Sequence, residues 1–214
     1  MNSIITAMPA YYPLLTNTSK RYVVMRGGTG SGKTFHTYIR IISRTLAETP
    51  HIYLCLRKHK TSVRTSIWHG MVQLIHDMGL GHMFTFNRST LTIHCKNGNQ
   101  IWFGGVDDPQ KLRSIEGVTS IWMEEADAFT MADFIELDRR FRAKTPHHKE
   151  IIITFNPVDT NTWMYEAFFA SDRYMAKSLL LHTTYLDNPL LDPEVVEQIA
   201  MYKEYDPYTY RVFG

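Results

Sequence analysis

The segment from residue 27 to residue 34 constrains the fold of this 214-residue chain more than any other. It reads GGTGSGKT, follows a short apolar stretch at 22–26, and precedes apolar positions at helical spacing over 34–47. This is the complete GxxxxGK[ST] pattern in the strand–loop–helix context that the pattern requires. Glycines keep side chains away, so backbone N–H groups can point at phosphate oxygens, and the N-terminus of the next helix attracts negative charge. The alternative is a glycine-rich turn that precedes Lys-Thr by chance.

The pattern predicts a phosphate-binding loop and gives roles to its last two residues. Lys33 is expected to contact the β- and γ-phosphates of a nucleotide, and the hydroxyl of Thr34 is expected to bind Mg²⁺. The predicted nucleotide-binding residues are Gly27, Gly28, Thr29, Gly30, Ser31, Gly32, Lys33 and Thr34.

A second feature, SIWMEEAD at 120–127, is an apolar run that ends in two adjacent carboxylates. Desolvating one carboxylate is costly, and a second one adds like-charge repulsion, so a cation is expected there. In a phosphate-loop protein this strand is expected to end beside the first strand, where the cation is Mg²⁺ assisted by Lys33. Glu124 is then the metal-side acid, and Glu125 is the general base that polarises the attacking water. Taken alone, the run could also be a strand that emerges into solvent.

Strand and helix patterns alternate along the chain. Apolar runs predict strands over 22–26, 51–57, 91–95, 100–106, 118–124, 150–155 and 178–183, with a tight hairpin at Asn97-Gly98. Apolar periodicity predicts helices over 34–47, 62–78, 131–143, 161–170 and 193–204. This alternation predicts an α/β P-loop NTPase with a mostly parallel central sheet flanked by helices on both faces.

Composition narrows the class of protein. No apolar run approaches the roughly 20 residues that span a bilayer, and the N-terminus lacks the basic region of a signal peptide. Cys55 and Cys95 are the only cysteines, which is typical of a reduced compartment. Residues 1–76 contain ten Lys or Arg but one acid, Glu48. This asymmetry suggests contact with polyanions such as nucleotides or nucleic acid, or else solvated helix faces.

The reaction follows from the two motifs together. A switch GTPase would carry an Asn-Lys-x-Asp motif, which this sequence lacks. A small-molecule kinase needs no adjacent base of the Glu125 type. Hydrolysis of ATP with Mg²⁺ is therefore the reaction that the residues favour.

Four stretches belong together: VVMRGGTGSGKT, IWMEEAD, IIITFNP with the following Trp163, and TTYLDNPLLDPEVVEQI running to YRVFG. With these stretches the chain resembles the N-terminal ATPase domain of phage terminase large subunits, the motors that package viral double-stranded DNA into a procapsid. The resemblance implies double-stranded DNA, a portal protein and a small terminase subunit as partners. It also implies a homo-oligomeric ring in the host cytoplasm, no membrane association, an ATPase core over 1–170 and a lid subdomain over 171–214.

The resemblance further implies roles for single residues. Thr154 and Asn156 match a coupling motif that relays the state of the γ-phosphate, although they could also form a simple strand-ending turn. Arg113 lies where related motors place an arginine that reaches a neighbouring subunit's nucleotide, a contact worth roughly 10³–10⁵ in rate. A solvated loop arginine is the alternative. Tyr11 or Tyr12 either stacks on adenine or anchors the N-terminal segment.

Two positions depart from the family pattern. Many relatives carry an arginine where this chain has Thr29, and Glu124 stands where aspartate is frequent, which favours water-mediated or shifted metal coordination. The arginines that could replace the missing one are Arg26, Arg113, Arg140 and Arg142.

Further expectations concern what accompanies the ATPase. The family's nuclease domain is expected to be absent, because the chain stops at Gly214 where a linker should begin, and no DNA cleavage is expected. The rival interpretations are a P-loop helicase or remodelling ATPase and a nucleotide-gated assembly protein. The basic run over 139–144 either grips DNA phosphates or forms ion pairs within its helix.

Overall fold

The computed structural model of the chain describes residues 6–107, 116–157 and 162–214. Its strands are β1 (Tyr22–Gly27), β2 (Ile52–Arg57), β3 (Phe84–Asn87), β4 (Thr92–Cys95), β5 (Gln100–Gly105), β6 (Ser120–Glu124), β7 (Ile151–Phe155) and β8 (Ser178–Thr183). They form one sheet in the order β3-β4-β5-β2-β6-β7-β1-β8. In this order, every pair of neighbouring strands from β5 onward is parallel. β4 is antiparallel to β5, and β3 is antiparallel to β4 at the edge of the sheet.

The helices cover the sheet. They are α1 (Tyr12–Leu15), α2 (Lys33–Ala47), α3 (Lys60–Val63), α4 (His69–Asp77), α5 (Met131–Arg140), α6 (Trp163–Phe168), α7 (Asp172–Met175), α8 (Pro193–Tyr205) and α9 (Pro207–Phe213). A π-helical turn, Arg64–Trp68, joins α3 to α4.

Each central strand is buried on both sides, because successive residues of a strand point to opposite faces of the sheet. In β1, Val23 belongs to a core that includes residues of α2 and α4, whereas Val24 belongs to a core that includes residues of α5 and α6. Burial on both faces explains why the central strands are continuous apolar runs rather than alternating patterns.

The predicted fold class is confirmed, with one correction to the placement of the acidic strand. β6 does not lie beside β1, because β7 lies between them. Thr154 of β7 pairs with Met25 of β1 on one side and with Glu124 of β6 on the other. The phosphate loop and the acidic motif therefore face each other across the end of β7.

Part of the range predicted as a lid belongs to the central sheet. β8 lies inside the range 171–214, yet it pairs with β1 along its whole length. The division into a core over 1–170 and a lid over 171–214 stays a prediction.

A buried ion network lies at the opposite edge of the sheet, where β7 begins. Glu150 is fully buried and accepts hydrogen bonds from Arg40 Nε at 3.0 Å, Arg44 Nη1 at 2.8 Å and the Tyr53 hydroxyl at 2.7 Å. Burial alone would raise the pKa of Glu150, but the two arginines outweigh it and lower the pKa to about 2. The network joins α2 to the start of β7 and so fixes the helix that follows the phosphate loop.

Candidate functional site

A cavity of about 380 Å³ opens at the carboxyl ends of β1, β6 and β7. Ligands of α/β proteins bind at this edge of the sheet, outside the ends of the strands. The residues that line the cavity are Gly28, Thr29, Gly30, Ser31, Gly32, Lys33, Thr34, Phe35, Glu124, Glu125, Thr154, Phe155, Asn156 and Asn188. The structure thus brings the predicted phosphate loop, both glutamates and the predicted coupling residues around one space.

The loop has the backbone that its glycines were expected to allow. Gly30 and Gly32 adopt positive φ angles of 77° and 89°, a region that side chains with a Cβ rarely enter. A Cβ on Gly32 would lie 2.3 Å from the terminal methyl of Met8, which could move, so it is the positive φ angle that favours glycine there. α2 begins at Lys33, directly after the loop, and presents its N-terminus to the cavity.

The ammonium group of Lys33 lies inside the loop. It donates to the carbonyl oxygens of Gly27 at 2.5 Å and Gly28 at 2.9 Å, and to Asn156 Oδ1 at 3.2 Å. Burial lowers the pKa of Lys33 to about 8, against the opposing attraction of Glu124 and Asp127. Phosphate oxygens are negatively charged, whereas carbonyl oxygens are neutral. The buried Lys33 ammonium, held here by carbonyls, is therefore suited to bind a phosphate.

Glu124 is buried, 8% exposed, and its Oε1 accepts a hydrogen bond from Thr34 Oγ1 at 3.4 Å. Burial raises the pKa of Glu124, while the neighbouring Arg57 opposes this rise. A hydroxyl and a carboxylate that converge are hard oxygen ligands of the kind that Mg²⁺ prefers.

The described residues contain no group of three or more His, Cys, Asp or Glu that could hold a metal alone. Mg²⁺ usually takes one or two protein ligands and completes its shell with phosphate oxygens and water, and Thr34 and Glu124 would be those ligands here.

Glu125 has an unusual backbone at the mouth of the cavity. Its φ of 52° and ψ of 55° place it in the left-handed region, which non-glycine residues seldom occupy. Backbone strain of this kind clusters at active sites, where the surrounding structure holds a side chain in one direction. The Glu125 side chain is 59% exposed, so water can reach it, in contrast to the buried Glu124.

Arg57, the last residue of β2, is a site residue that the sequence did not reveal. Its Nε donates to Glu124 Oε2 at 2.6 Å, and its Nη2 forms an ion pair with Glu125 Oε1. The protein therefore supplies its own cation to the paired carboxylates, in addition to Lys33. One sequence feature could have indicated Arg57: it ends the apolar strand HIYLCLR, and the carboxyl ends of parallel strands are where functional side chains lie.

Many relatives carry an arginine where this chain has Thr29, and two of the arginines that could replace it contact other side chains. The guanidinium of Arg26 lies over the ring of Phe169, and Arg140 pairs with Glu136 on α5. Arg113 lies outside the described residues.

Thr154 and Asn156 connect the acidic strand to the loop. Thr154 Oγ1 accepts a hydrogen bond from Trp122 Nε1 of β6 at 3.0 Å and donates to Met123 O at 3.4 Å. Asn156, just beyond β7, accepts from Lys33. These bonds link the loop to β6 and β7, and the coupling role of Thr154 and Asn156 stays a prediction.

The C-terminal segment also reaches the loop, through Asn188 of the stretch TYLDNP. Its Nδ2 donates to Gly30 O at 2.7 Å, and the neighbouring Leu191 side chain packs against Gly30. Residues that follow β8 therefore contact the phosphate loop directly.

Tyr11 anchors the N-terminal segment and is not free to stack on a ligand. Its ring is fully buried and stacks on His36 at 4.0 Å, and its hydroxyl contacts Ser31 O and Thr183 Oγ1, both at 2.8 Å. Tyr12, by contrast, is 52% exposed. Of the two alternatives left open for Tyr11, the anchor is the one that the structure shows.

The charge asymmetry of residues 1–76 is partly neutralised across the fold. Basic residues from this part pair with acids from the rest of the chain: Arg21 with Asp138, Lys58 with Asp133, and the arginines already described with Glu124, Glu125 and Glu150. The basic run over 139–144 likewise begins with Arg139 and Arg140 paired to Glu136 on the same helix.

Comparison with known proteins places the chain in a family. A family model described as phage terminase large subunit matches residues 19–213. The chain belongs to the phage terminase large subunit family. Among curated relatives, it is 31% identical to the PBSX phage terminase large subunit of Bacillus subtilis, over 95% of this chain and 51% of that protein. It is 28% identical to the terminase large subunit of Bacillus phage SPP1, over 88% and 46% respectively. The chain thus spans about half the length of the terminase large subunits that it matches.

Solved terminase structures share the fold. The large terminase of a thermophilic bacteriophage, in complex with ADP, superposes with a TM-score of 0.77 at 15% identity, over 96% of this chain and 52% of that one. The large terminase ATPase domain of Thermus phage P74-26 gives 0.67 at 14% identity, over 94% and 90%. Among the residues that the structure describes, no helix is long and apolar enough to cross a membrane.

Proposed function

We propose that this chain is the Mg²⁺-dependent ATPase domain of a DNA-packaging terminase, which hydrolyses ATP to drive double-stranded DNA into a procapsid. The observation that carries the proposal is the meeting of Lys33, Thr34, Glu124 and Glu125 around one cavity at the carboxyl edge of the sheet. A phosphate loop and an acidic pair at such an edge are the parts that phosphoryl transfer to water requires.

Each residue has a defined part in the proposed reaction. Backbone N–H groups of the loop and the Lys33 ammonium bind and orient the β- and γ-phosphates. Thr34 and Glu124 would hold Mg²⁺, which would neutralise charge on the phosphate oxygens. Glu125 accepts a proton from the attacking water, for which its exposed carboxylate at the mouth of the cavity is suited. Thr154 and Asn156 sense the loop through the bond between Asn156 and Lys33.

The relatives support nucleotide as the ligand. The large terminase of the thermophilic bacteriophage has been solved in complex with ADP and with ATP-gamma-S, and the P74-26 structure is described as an ATPase domain. These proteins share the fold of this chain, so the same use of the cavity is the simplest proposal.

The partners and location are carried over from the family. We assign double-stranded DNA, a portal protein and a small terminase subunit as partners, and a homo-oligomeric ring in the host cytoplasm as the working form, with Arg113 reaching a neighbour's nucleotide. The absence of nuclease activity stays a prediction.

The proposal is tested by nucleotide binding and turnover in two variants. Lys33→Ala should lose tight Mg-ATP binding by calorimetry, because the charge that contacts the β- and γ-phosphates is gone. Glu125→Gln should bind ATP but hydrolyse it at least about 10²-fold more slowly, the usual scale for a lost general base.

Glu204→Gln, an exposed carboxylate on α8, is the matched control and should hydrolyse ATP normally. Unchanged ATP affinity in Lys33→Ala would overturn the phosphate-loop assignment. Normal hydrolysis in Glu125→Gln would move the general base elsewhere, first to Glu124.

A further inference from the structure

The second half of the phosphate loop is tied to side chains that lie outside the loop. Three consecutive backbone carbonyl oxygens each accept a hydrogen bond from such a side chain. The bonds run from Asn188 Nδ2 to Gly30 O at 2.7 Å, from the Tyr11 hydroxyl to Ser31 O at 2.8 Å and from His36 Nδ1 to Gly32 O at 2.9 Å. The donors belong to three different parts of the chain, namely the segment after β8, the N-terminal segment and α2.

Each of these carbonyls fixes the direction of the N–H group in the same peptide unit. A peptide unit is planar and trans, so its C=O and N–H groups point to opposite sides. The three units carry the N–H groups of Ser31, Gly32 and Lys33. The first of these groups shows where that opposite side lies, because Ser31 N points to Gly28 O at 3.5 Å, and the same oxygen binds the Lys33 ammonium inside the loop.

We propose that Tyr11, His36 and Asn188 are positioning residues for the bound triphosphate. By tying three loop carbonyls outward, they keep the matching N–H groups turned inward, towards the phosphate oxygens. Donors that are already oriented need no rearrangement when the charge arrives, which strengthens their effect on binding and on rate. The inference rests on the proposed function, because it supposes a triphosphate at Lys33. It goes beyond that function by assigning roles to Tyr11 and His36, which do not line the cavity.

The first half of the loop shows that the backbone has no single direction of its own. There the carbonyls of Gly27 and Gly28 point inward and accept hydrogen bonds from the Lys33 ammonium at 2.5 Å and 2.9 Å. A glycine-rich backbone has access to both orientations, since glycine adopts positive and negative φ angles with similar ease. The side-chain bonds are therefore what sets the orientation in the second half.

The Tyr11 hydroxyl is fixed on both sides. A carbonyl can only accept, so Tyr11 donates to Ser31 O, and its oxygen is left to accept from Thr183 Oγ1 at 2.8 Å. Burial raises the pKa of Tyr11 to about 12, so the hydroxyl keeps the proton that it donates. Thr183 is the last residue of β8. The carbonyl of Ser31 is thus tied, through one buried hydroxyl, to the central sheet.

His36 is held in the tautomer that binds the loop. Its Nε2 accepts from Met8 N at 3.0 Å, so the ring proton lies on Nδ1 and is donated to Gly32 O. Burial lowers the pKa of His36, which favours this neutral form. Gly32 O also accepts the backbone N–H of His36 at 3.1 Å within α2. Because this carbonyl has a second tether, the sharper tests are at Tyr11 and Asn188.

The experiment measures, by calorimetry with Mg²⁺, the Kd of the β,γ-imido analogue of ATP and of tripolyphosphate, which has no base. Tyr11→Phe removes only the hydroxyl and should weaken both ligands by roughly tenfold or more, the scale of one lost hydrogen bond to a charged group. Asn188→Leu, which removes the bond to Gly30 O, should weaken both in the same way. Tyr205→Phe makes the first change at an exposed tyrosine of α8, and as the matched control it should alter neither Kd.

Urea titration of the same variants separates positioning from simple structural support, because support alone lowers the free energy of unfolding and leaves the Kd values unchanged. That result in both variants would overturn the inference. Weakening of the ATP analogue without weakening of tripolyphosphate would also overturn it, since the contact would then act on the nucleoside. If Tyr11→Phe does not fold, Asn188→Leu at a half-buried position decides by the same criteria.

The unsubstituted chain keeps this inference apart from the proposed function. If it binds neither ligand, the proposed function fails and the inference fails with it. If it binds both ligands and the two variants bind them equally well, only the inference fails.

Discussion

Arg57 explains how two adjacent glutamates are tolerated at the end of a buried strand. It contacts both carboxylates, yet it does not line the cavity, so it acts from behind them rather than on a ligand. A planar guanidinium with several donors can hold two carboxylates at once, which a single ammonium cannot do in the same fixed geometry. Arg57 is thus a positioning residue for the proposed metal-side acid and the proposed base.

Replacing Arg57 should separate catalysis from binding. In Arg57→Lys we expect kcat to fall by about 10- to 10²-fold, because a displaced catalytic group costs rate on this scale, while KM for ATP changes little. Steady-state ATP hydrolysis measures both constants. Lys58→Met is the matched control, since Lys58 is the next residue and pairs with Asp133 instead of the glutamates. If KM instead rose by about 10- to 10²-fold while kcat stayed unchanged, Arg57 would contribute to nucleotide binding.

At the scale of elements, the strands that sequence reasoning predicted best are the buried central ones. β1, β6 and β7 are runs of large apolar residues bounded by polar ones, so burial on both faces leaves a clear local signal. The edge strand β3 was missed, because it is four residues long and only one of its sides is paired. α9 was also missed: it is only seven residues long, and it begins at Pro207, where proline is favoured as the first residue of a helix.

The site was predictable only as far as local motifs reach. The phosphate loop and the glutamates are contiguous patterns and were found. Arg57 lies 67 residues from Glu124, and only the order of the strands places β2 beside β6. The order β6-β7-β1 is likewise a long-range property, which is why the acidic strand was wrongly expected beside β1.

The network around Glu150 should be the main electrostatic contribution to the packing of α2. Glu150→Gln leaves buried Arg40 without its counter-charge and leaves Arg44 with Glu48 alone, and breaking a buried pair of this kind typically costs about 3–5 kcal/mol. The free energy of unfolding, from urea titration followed by circular dichroism, measures the loss. Glu136→Gln, on the exposed pairs of α5, is the control and should change stability little. A loss for Glu150→Gln as small as that of the control would contradict the assignment.

For the whole molecule, stability should fall on acidification. Burial lowers the pKa of His51 to about 3, so below its ordinary value of 6.5 the unfolded chain binds a proton that the folded chain does not. Glu150, with a pKa of about 2, adds a loss of the same sign below its ordinary value of 4.5. Both contributions are fully present above these ordinary values and are lost as the pH falls towards the folded ones.

The contribution of His51 can be isolated with His51→Gln. Between about pH 4.5 and 6, the slope of the free energy of unfolding against pH should be lower in this variant by up to about 1.4 kcal/mol per pH unit, the value for one proton. Urea titrations at several pH values measure the slope. Equal slopes in the two proteins would mean that His51 becomes protonated in the folded state.

Assembly should also appear in the kinetics. If Arg113 completes a neighbour's site, ATP turnover per chain should rise with protein concentration. Arg113→Ala should remove that rise and lower the turnover of the assembled form by about 10³-fold or more. Arg88→Ala, an exposed arginine between β3 and β4, is the control. Stimulation by double-stranded DNA would distinguish a motor from a nucleotide-gated assembly protein. Turnover that does not depend on concentration, with Arg113→Ala harmless, would remove Arg113 from the mechanism.

The position of β1 has a consequence for biosynthesis. β1 lies between β7 and β8, and Tyr11 is bonded to Thr183, which is 172 residues later in the chain. A ribosome releases the N-terminal part first, so the glycine-rich turn emerges long before the strands that flank it. Pairings at such separation form slowly, and apolar strands without partners invite aggregation in the meantime. The nascent chain must therefore carry the VVM strand with neither partner until residue 155 has left the exit tunnel, and without its β8 partner until residue 183 has done so. A chaperone that shields this strand would raise the yield of folded protein.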